Sequence, residues 1–197
     1  MNKRLLTTFI FVFISCAVYS QFLTQYFDGA DTLPDYSIII EIDAISGNIW
    51  QIGPPQKNLF GSPFTIPKVI ITDTISNYPV NNVSRFTYKL SSQWPSGIVA
   101  LQWIQKLDFE SDHDGGITEY STDMGQTWNN VFNDPYVYNF YGFDPANADT
   151  LVTGEYAFSG TDTTWKNIWL CFDASWMGFG DTMMVRHTLV SDAVNTG

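Results

Sequence analysis

Four carboxylates, Asp108, Glu110, Asp112 and Asp114, stand two residues apart, with His113 set among them and Gly115-Gly116 following directly. In an extended chain that spacing puts all four on one face, where like charges repel at close range. A hard cation with oxygen ligands would relieve the repulsion, and the glycine pair would let the backbone turn and offer carbonyls, which is calcium chemistry. From Glu110 onward the residues echo the first half of a calcium loop. Ser121 occupies the position where such a loop needs a bidentate Glu, so an EF-hand is excluded. The competing reading is a solvated acidic strand end and turn.

Flat rings are the second chemistry on offer. Tyr136, Tyr138, Tyr141 and Phe143 fall in 133–149, a stretch rich in Asn, Asp, Pro and Tyr that reads as a long exposed loop. Trp176 follows Asp173-Ala174-Ser175. Sugar rings stack on aromatic faces, so displayed rings point to carbohydrate; the alternative is that they fold back and cap one end of the domain.

Bond-breaking machinery is harder to assemble. His113 and His187 are the only histidines, the first in an acidic turn and the second in mid-strand, where a packed or surface role is the ordinary one. No motif singles out a pair among the 20 acids for glycoside hydrolysis. No nucleophile elbow, zincin, P-loop or dinucleotide-binding pattern occurs. The expected class is therefore non-catalytic.

Strands must position these residues. Short runs of aromatic and β-branched residues end at turn formers throughout, and nowhere do apolar residues keep a helical period for three turns. Strands are expected at 22–27, 36–42, 48–52, 69–72, 84–90, 98–109, 165–172 and 183–190. In the longest, Val99, Leu101 and Trp103 alternate with Ile98, Ala100, Gln102 and Ile104, which predicts a central strand buried on both sides for part of its length. It leads to Ser121-Thr122-Asp123-Met124-Gly125-Gln126-Thr127-Trp128, an S-x-D-x-G-x-x-W or Asp-box pattern. Ser121, Asp123, Gly125 and Trp128 are expected to build a hairpin tip, with Asp tolerating left-handed angles and bonding backbone amides, Gly taking positive φ, and Trp packing beneath. The same box occurs in sialidases, which repeat it around a propeller and grip a carboxylate with three arginines. One box and two arginines outside the N-terminal leader, Arg85 and Arg186, cannot supply that mechanism. The absence of an internal repeat, with strands at this spacing and 16% aromatics, predicts an all-β, two-sheet antiparallel β-sandwich.

Residues 1–20 read as a signal peptide: Lys3 and Arg4, then the apolar 5–14, then Val18-Tyr19-Ser20 as cleavage site, leaving one domain over 21–197. Lipidation at Cys16, in the loose lipobox Phe13-Ile14-Ser15-Cys16, is the alternative to cleavage after Ser20. Beyond the leader no apolar run is long enough for a transmembrane segment. Loss of Lys3 and Arg4 takes the net charge from −11 to −13, which disfavours nucleic acid and anionic membrane as partners. Cys171 is then the one remaining cysteine; it alternates with large apolar residues and reads as a buried, inert thiol, without an internal disulfide.

Taken together, Asn48-Ile49-Trp50-Gln51-Ile52-Gly53, Lys57, Asp73-Thr74 and the stretch from Asp114-Gly115-Gly116 through the Asp box resemble MAM-like, jelly-roll domains of bacterial secreted and cell-surface proteins. The resemblance is closest to domains exported by the type IX route and covers nearly all of 21–192. It implies a galactose-binding- or concanavalin-like sandwich, an extracellular or outer-surface location, and adhesion or carbohydrate recognition with a glycan or surface protein as partner. It also implies a closing strand after 183–190 that this sequence does not show, so the expectation is either a domain that lacks its final strand or a fragment of a larger protein. An accessory domain of a larger exported hydrolase, glycosidase or peptidase, is the alternative. Five Asp-Thr copies, with Thr32, Thr74, Thr150, Thr163 and Thr182, are similar to the O-glycosylation acceptors of such bacteria. Their other reading is turn-to-strand punctuation.

Overall fold

Two strongly alternating stretches, 83–91 and 182–190, pair through nine consecutive residues, and the sheets are laid out from them. The computed structural model describes residues 27, 38–91, 97–142, 149–178 and 180–196. The larger sheet has five antiparallel strands in the order β1 (Ile38–Ile42), β4 (Val83–Ser91), β12 (Thr182–Val190), β6 (Gly115–Ser121) and β7 (Asn129–Asn130). A second sheet has the order β5 (Ile98–Asp108), β11 (Thr161–Asp173), β8 (Val137–Tyr141). Two small hairpins complete the set: β2 (Trp50–Gly53) with β3 (Val69–Thr72), and β9 (Asp149–Thr150) with β10 (Tyr156–Ala157).

The two principal sheets share one apolar layer, which makes the fold an all-β antiparallel sandwich. Alternation decides which side chains enter it. Phe86 and Tyr88 of β4, Tyr120 of β6, and Met183 and Val185 of β12 face Ile168, Leu170 and Phe172 of β11. Val99, Leu101 and Trp103 of β5 close over them. Tyr120 and Phe172 meet across the layer with ring centroids 4.9 Å apart. Each such side chain, taken fully from water, contributes about 1.5–3 kcal/mol. Cys171 is buried and free. The β9–β10 hairpin covers the outer side of β6, where Ile117, Leu151 and Ala157 form a second small cluster. Among the described residues no helix is long and apolar enough to cross a membrane.

Several elements differ from the sequence expectation. β5 is not central: it forms one edge of its sheet, and β11 lies in the middle. Nor is it buried on both sides: Val99, Leu101 and Trp103 face the core, but Ile98, Ala100, Gln102 and Ile104 are exposed, because no layer covers that side of the sheet there. The stretch 133–149 is not all loop, because β8 pairs with β11 there through an irregular register. Gly115-Gly116 is not a turn but the start of β6. A Cβ at Gly115 would lie 2.8 Å from the Phe158 carbonyl oxygen, so close approach of 157–158 requires the glycine. The expected leader with Cys16, the strand at 22–27 apart from Phe27, Thr32 and Phe143 lie outside the described residues.

Candidate functional site

The carboxylates at 108–114 are not held on one strand face. Asp108 ends β5, residues 111–113 turn, and Asp114 directly precedes β6. Asp112 takes a left-handed φ of 67°, which breaks the extended geometry that would align the four. Asp114 is fully buried: Oδ2 accepts from the Tyr78 hydroxyl at 2.8 Å and Oδ1 from the Asp192 amide at 2.7 Å. Asp108 Oδ1 accepts from Thr161, and Glu110 Oε1 from Asn195. His113 Nδ1 lies 2.9 Å from Asp192 Oδ2, and that bond raises the imidazole pKa. Among the described residues no three His, Cys, Asp or Glu side chains come together as a metal site would require. The arrangement ties the 191–195 segment to the turn after β5.

The Asp box closes β6 onto β7. Asp123 Oδ1 accepts the amides of Gln126 and Thr127, each at 2.9 Å, and Oδ2 accepts the Thr127 hydroxyl at 2.6 Å. These bonds, the Thr127 hydroxyl foremost, lower the Asp123 pKa to about 2. Ser121 Oγ accepts the Gly125 amide, and Trp128 Nε1 donates to the Gly125 carbonyl. The left-handed positions are Met124 (φ 62°) and Gly125 (φ 85°), not Asp123, which serves through its side chain. Beneath the tip, Arg186 lies 4.1 Å from the Trp128 ring centroid and forks onto both oxygens of Glu119. Arg186 is therefore committed to structure. A Gly125→Ala variant is expected to lose about 1–2 kcal/mol, since the new Cβ must adopt left-handed angles; urea unfolding measures it.

His187 lies inside the sandwich, its ring 5.0 Å from Phe86 and 5.3 Å from Trp103 of the opposite sheet. Its nitrogens meet the Tyr88 hydroxyl at 3.0 Å and the Thr118 hydroxyl at 2.9 Å, two rotors that satisfy either neutral tautomer. Burial lowers its pKa from 6.5 to about 4. The unfolded chain therefore takes up this proton first. Stability from His187 is complete above pH 6.5 and is lost as the pH falls toward 4, by at most about 3 kcal/mol because the ring keeps some solvent contact. His113, with its raised pKa, acts oppositely: its contribution is complete below pH 6.5 and fades as the pH rises through the shifted value. Melting temperature should fall between those limits in the native protein and fall less in His187→Gln; parallel profiles would remove His187 as the cause.

The outward side of the β5–β11–β8 sheet carries the ring chemistry. Register sets Tyr141 beside Trp169, and Tyr138 beside Cys171. Ile168, Leu170 and Phe172 point into the core, so Asn167, Trp169, Cys171 and Asp173 point out. Tyr141 and Trp169 have centroids 6.1 Å apart and planes 30° from parallel. Next to them, Gln102 Nε2 donates to Asn167 Oδ1 at 2.8 Å. Toward one end Trp165 is met by Lys106 Nζ, 5.1 Å from its ring centroid, and by Phe64 edge-on at 5.9 Å. Toward the other, the Asp173 amide donates to the Tyr136 carbonyl, and Trp176 Nε1 donates to the Asp173 carbonyl. Asp173 binds the Ser175 amide, which lowers its pKa.

Tyr136 (65% exposed), Tyr141 (56%), Trp176 (44%) and Tyr138 (36%) are thus displayed rather than folded back. Tyr138 and Tyr141 stand on a strand, which fixes their direction better than a loop would. A cleft of about 400 Å³, lined by Val131, Phe132, Asp134, Val137 and Tyr138 among others, adjoins the same strand. A second cavity of about 170 Å³, between Asp149, Asp162 and Lys166, is smaller than ordinary ligand sites, and Lys166 pairs with Asp162 at 2.7 Å. Trp169, Gln102 and Asn167 are members of the face that the sequence reading missed.

Of the expected acceptor threonines, Thr150 and Thr163 are exposed. Thr74 and Thr182 are half-buried and bonded to Gln51 and Ser91. Thr182 opens β12 and Thr150 lies in β9, whereas Thr163 lies within β11. No family model matches the chain, and neither a curated protein nor a solved structure does.

Proposed function

We propose that the chain is a secreted or surface-displayed, non-catalytic recognition module that binds carbohydrate on the outward face of the β5–β11–β8 sheet. This is the role that the resemblance to MAM-like, jelly-roll domains implies. The observation that carries the reading is the exposed row of Tyr141 beside Trp169, with Tyr138 next along β8 and the Gln102–Asn167 amide pair on the other side of Trp169. Rings stack on the apolar faces of sugars, and amides between them meet hydroxyls. A rigid sheet displays both at little ordering cost. Adhesion to glycan-bearing surfaces follows from such a face.

Affinity electrophoresis through gels containing polysaccharides tests it. Tyr141→Ala should keep stability within about 0.5 kcal/mol while affinity falls by about tenfold or more. Retardation equal to that of the native protein would remove Tyr141 from the site.

A further inference from the structure

We infer that the ligand is a neutral, extended polysaccharide lying along β11, held at two separate ring positions, so that affinity depends on how many consecutive sugars it presents. This deepens, and rests on, the carbohydrate reading above. The first position is the Tyr138, Tyr141 and Trp169 group. The second is Trp165 with Phe64 edge-on against it. Trp165 and Trp169 are four residues apart on one strand, which at about 3.3 Å per residue places them about 13 Å apart along it. One sugar cannot stack at both places. A continuous chain of several can, and the Gln102–Asn167 pair lies between the two positions to bond its hydroxyls.

Charge selects the chemistry of that chain. Among the described residues that alternation puts on this face the charged side chains are Lys106, already placed over Trp165, Asp108, already bonded to the Thr161 hydroxyl, and Asp173, already bonded to the Ser175 amide. A polyanion would meet a single cation on a chain of net charge −11. A polycation would find two carboxylates, at opposite ends of the face and both already bonded. The face instead offers uncharged amides and rings, which suit an uncharged polymer.

Affinity electrophoresis against neutral polymers (β-glucan, xylan, mannan) and anionic ones (polygalacturonate, alginate), at low and high salt, tests the charge. Titration with disaccharide to hexasaccharide of the tightest binder tests the length. Binding is expected to a neutral polymer, insensitive to salt, with affinity rising about tenfold or more from disaccharide to hexasaccharide, a gain of about 1.4 kcal/mol or more. Trp165→Ala should remove that gain, so that hexasaccharide binds about as tightly as disaccharide. Equal affinity at every length, or preference for an anionic polymer that salt abolishes, overturns the inference; the face itself survives if Trp169→Ala still abolishes binding. Binding to no polymer, or binding unchanged in a Tyr141→Ala/Trp169→Ala double variant, overturns the carbohydrate reading and this inference with it.

Discussion

Replacing Phe172 with alanine is expected to cost about 3–5 kcal/mol, a large part of what holds a domain of this size together. Phe172 is 2% exposed and sits in the middle strand of its sheet, beside Val99 of β5 and Val137 of β8. Its ring meets Tyr120 of the facing sheet at 4.9 Å. Truncation opens a cavity between two sheets whose strands are pinned by long registers, so the gap cannot collapse cheaply. Equilibrium urea unfolding, with the Tyr141→Ala variant alongside, reads the contrast directly. Two residues on neighbouring strands should differ severalfold in cost because one faces the core and the other solvent. Similar costs would mean that the assigned faces of the sheet are wrong.

The second large effect is at Asp114. Its carboxylate has no exposure and satisfies two donors, the Tyr78 hydroxyl and the Asp192 amide. Asp114→Ala leaves both donors buried without a partner, at a cost of about 2–5 kcal/mol. Asp114→Asn keeps one acceptor and sets an NH2 group against the other donor, so an intermediate loss is expected; Tyr78→Phe should cost about 1–2 kcal/mol. Thermal melts of the three variants order them. An asparagine variant as stable as the native protein would show that the charge is not needed there. The same melts with calcium and with chelator decide the metal expectation: an unchanged midpoint discards it, whereas a rise with calcium that chelator reverses supports it.

Local chemistry was the most legible part of the sequence. The Asp-box tip is set by residues within eight positions of each other, so its hydrogen bonds follow from the pattern alone. The strand at 69–72 was likewise visible in composition. Elements made by pairing were not. β8 contains Asn139 between Tyr138 and Phe140 and follows Pro135, and only its register with β11 makes it a strand. The two-residue strands β9 and β10 carry no period that could be read.

The acidic stretch misled for the opposite reason: regular spacing suggested one face, but a left-handed Asp112 and a turn divided it. Trp169 was missed because Trp165 to Phe172 reads as an apolar run. Its alternate members, Trp165, Asn167, Trp169 and Cys171, separate from Ile168, Leu170 and Phe172 only when the layer they pack against is known.

Hydroxyl-radical footprinting, with the tightest-binding neutral polysaccharide at saturation, tests the central claim most directly. Tyr138, Tyr141 and Trp169 should lose reactivity, while Met124, 62% exposed on the Asp-box tip, keeps its own. Protection of Met124, or of the 131–135 side of the neighbouring cleft, with Tyr141 and Trp169 still reactive, would contradict the account and place the ligand elsewhere.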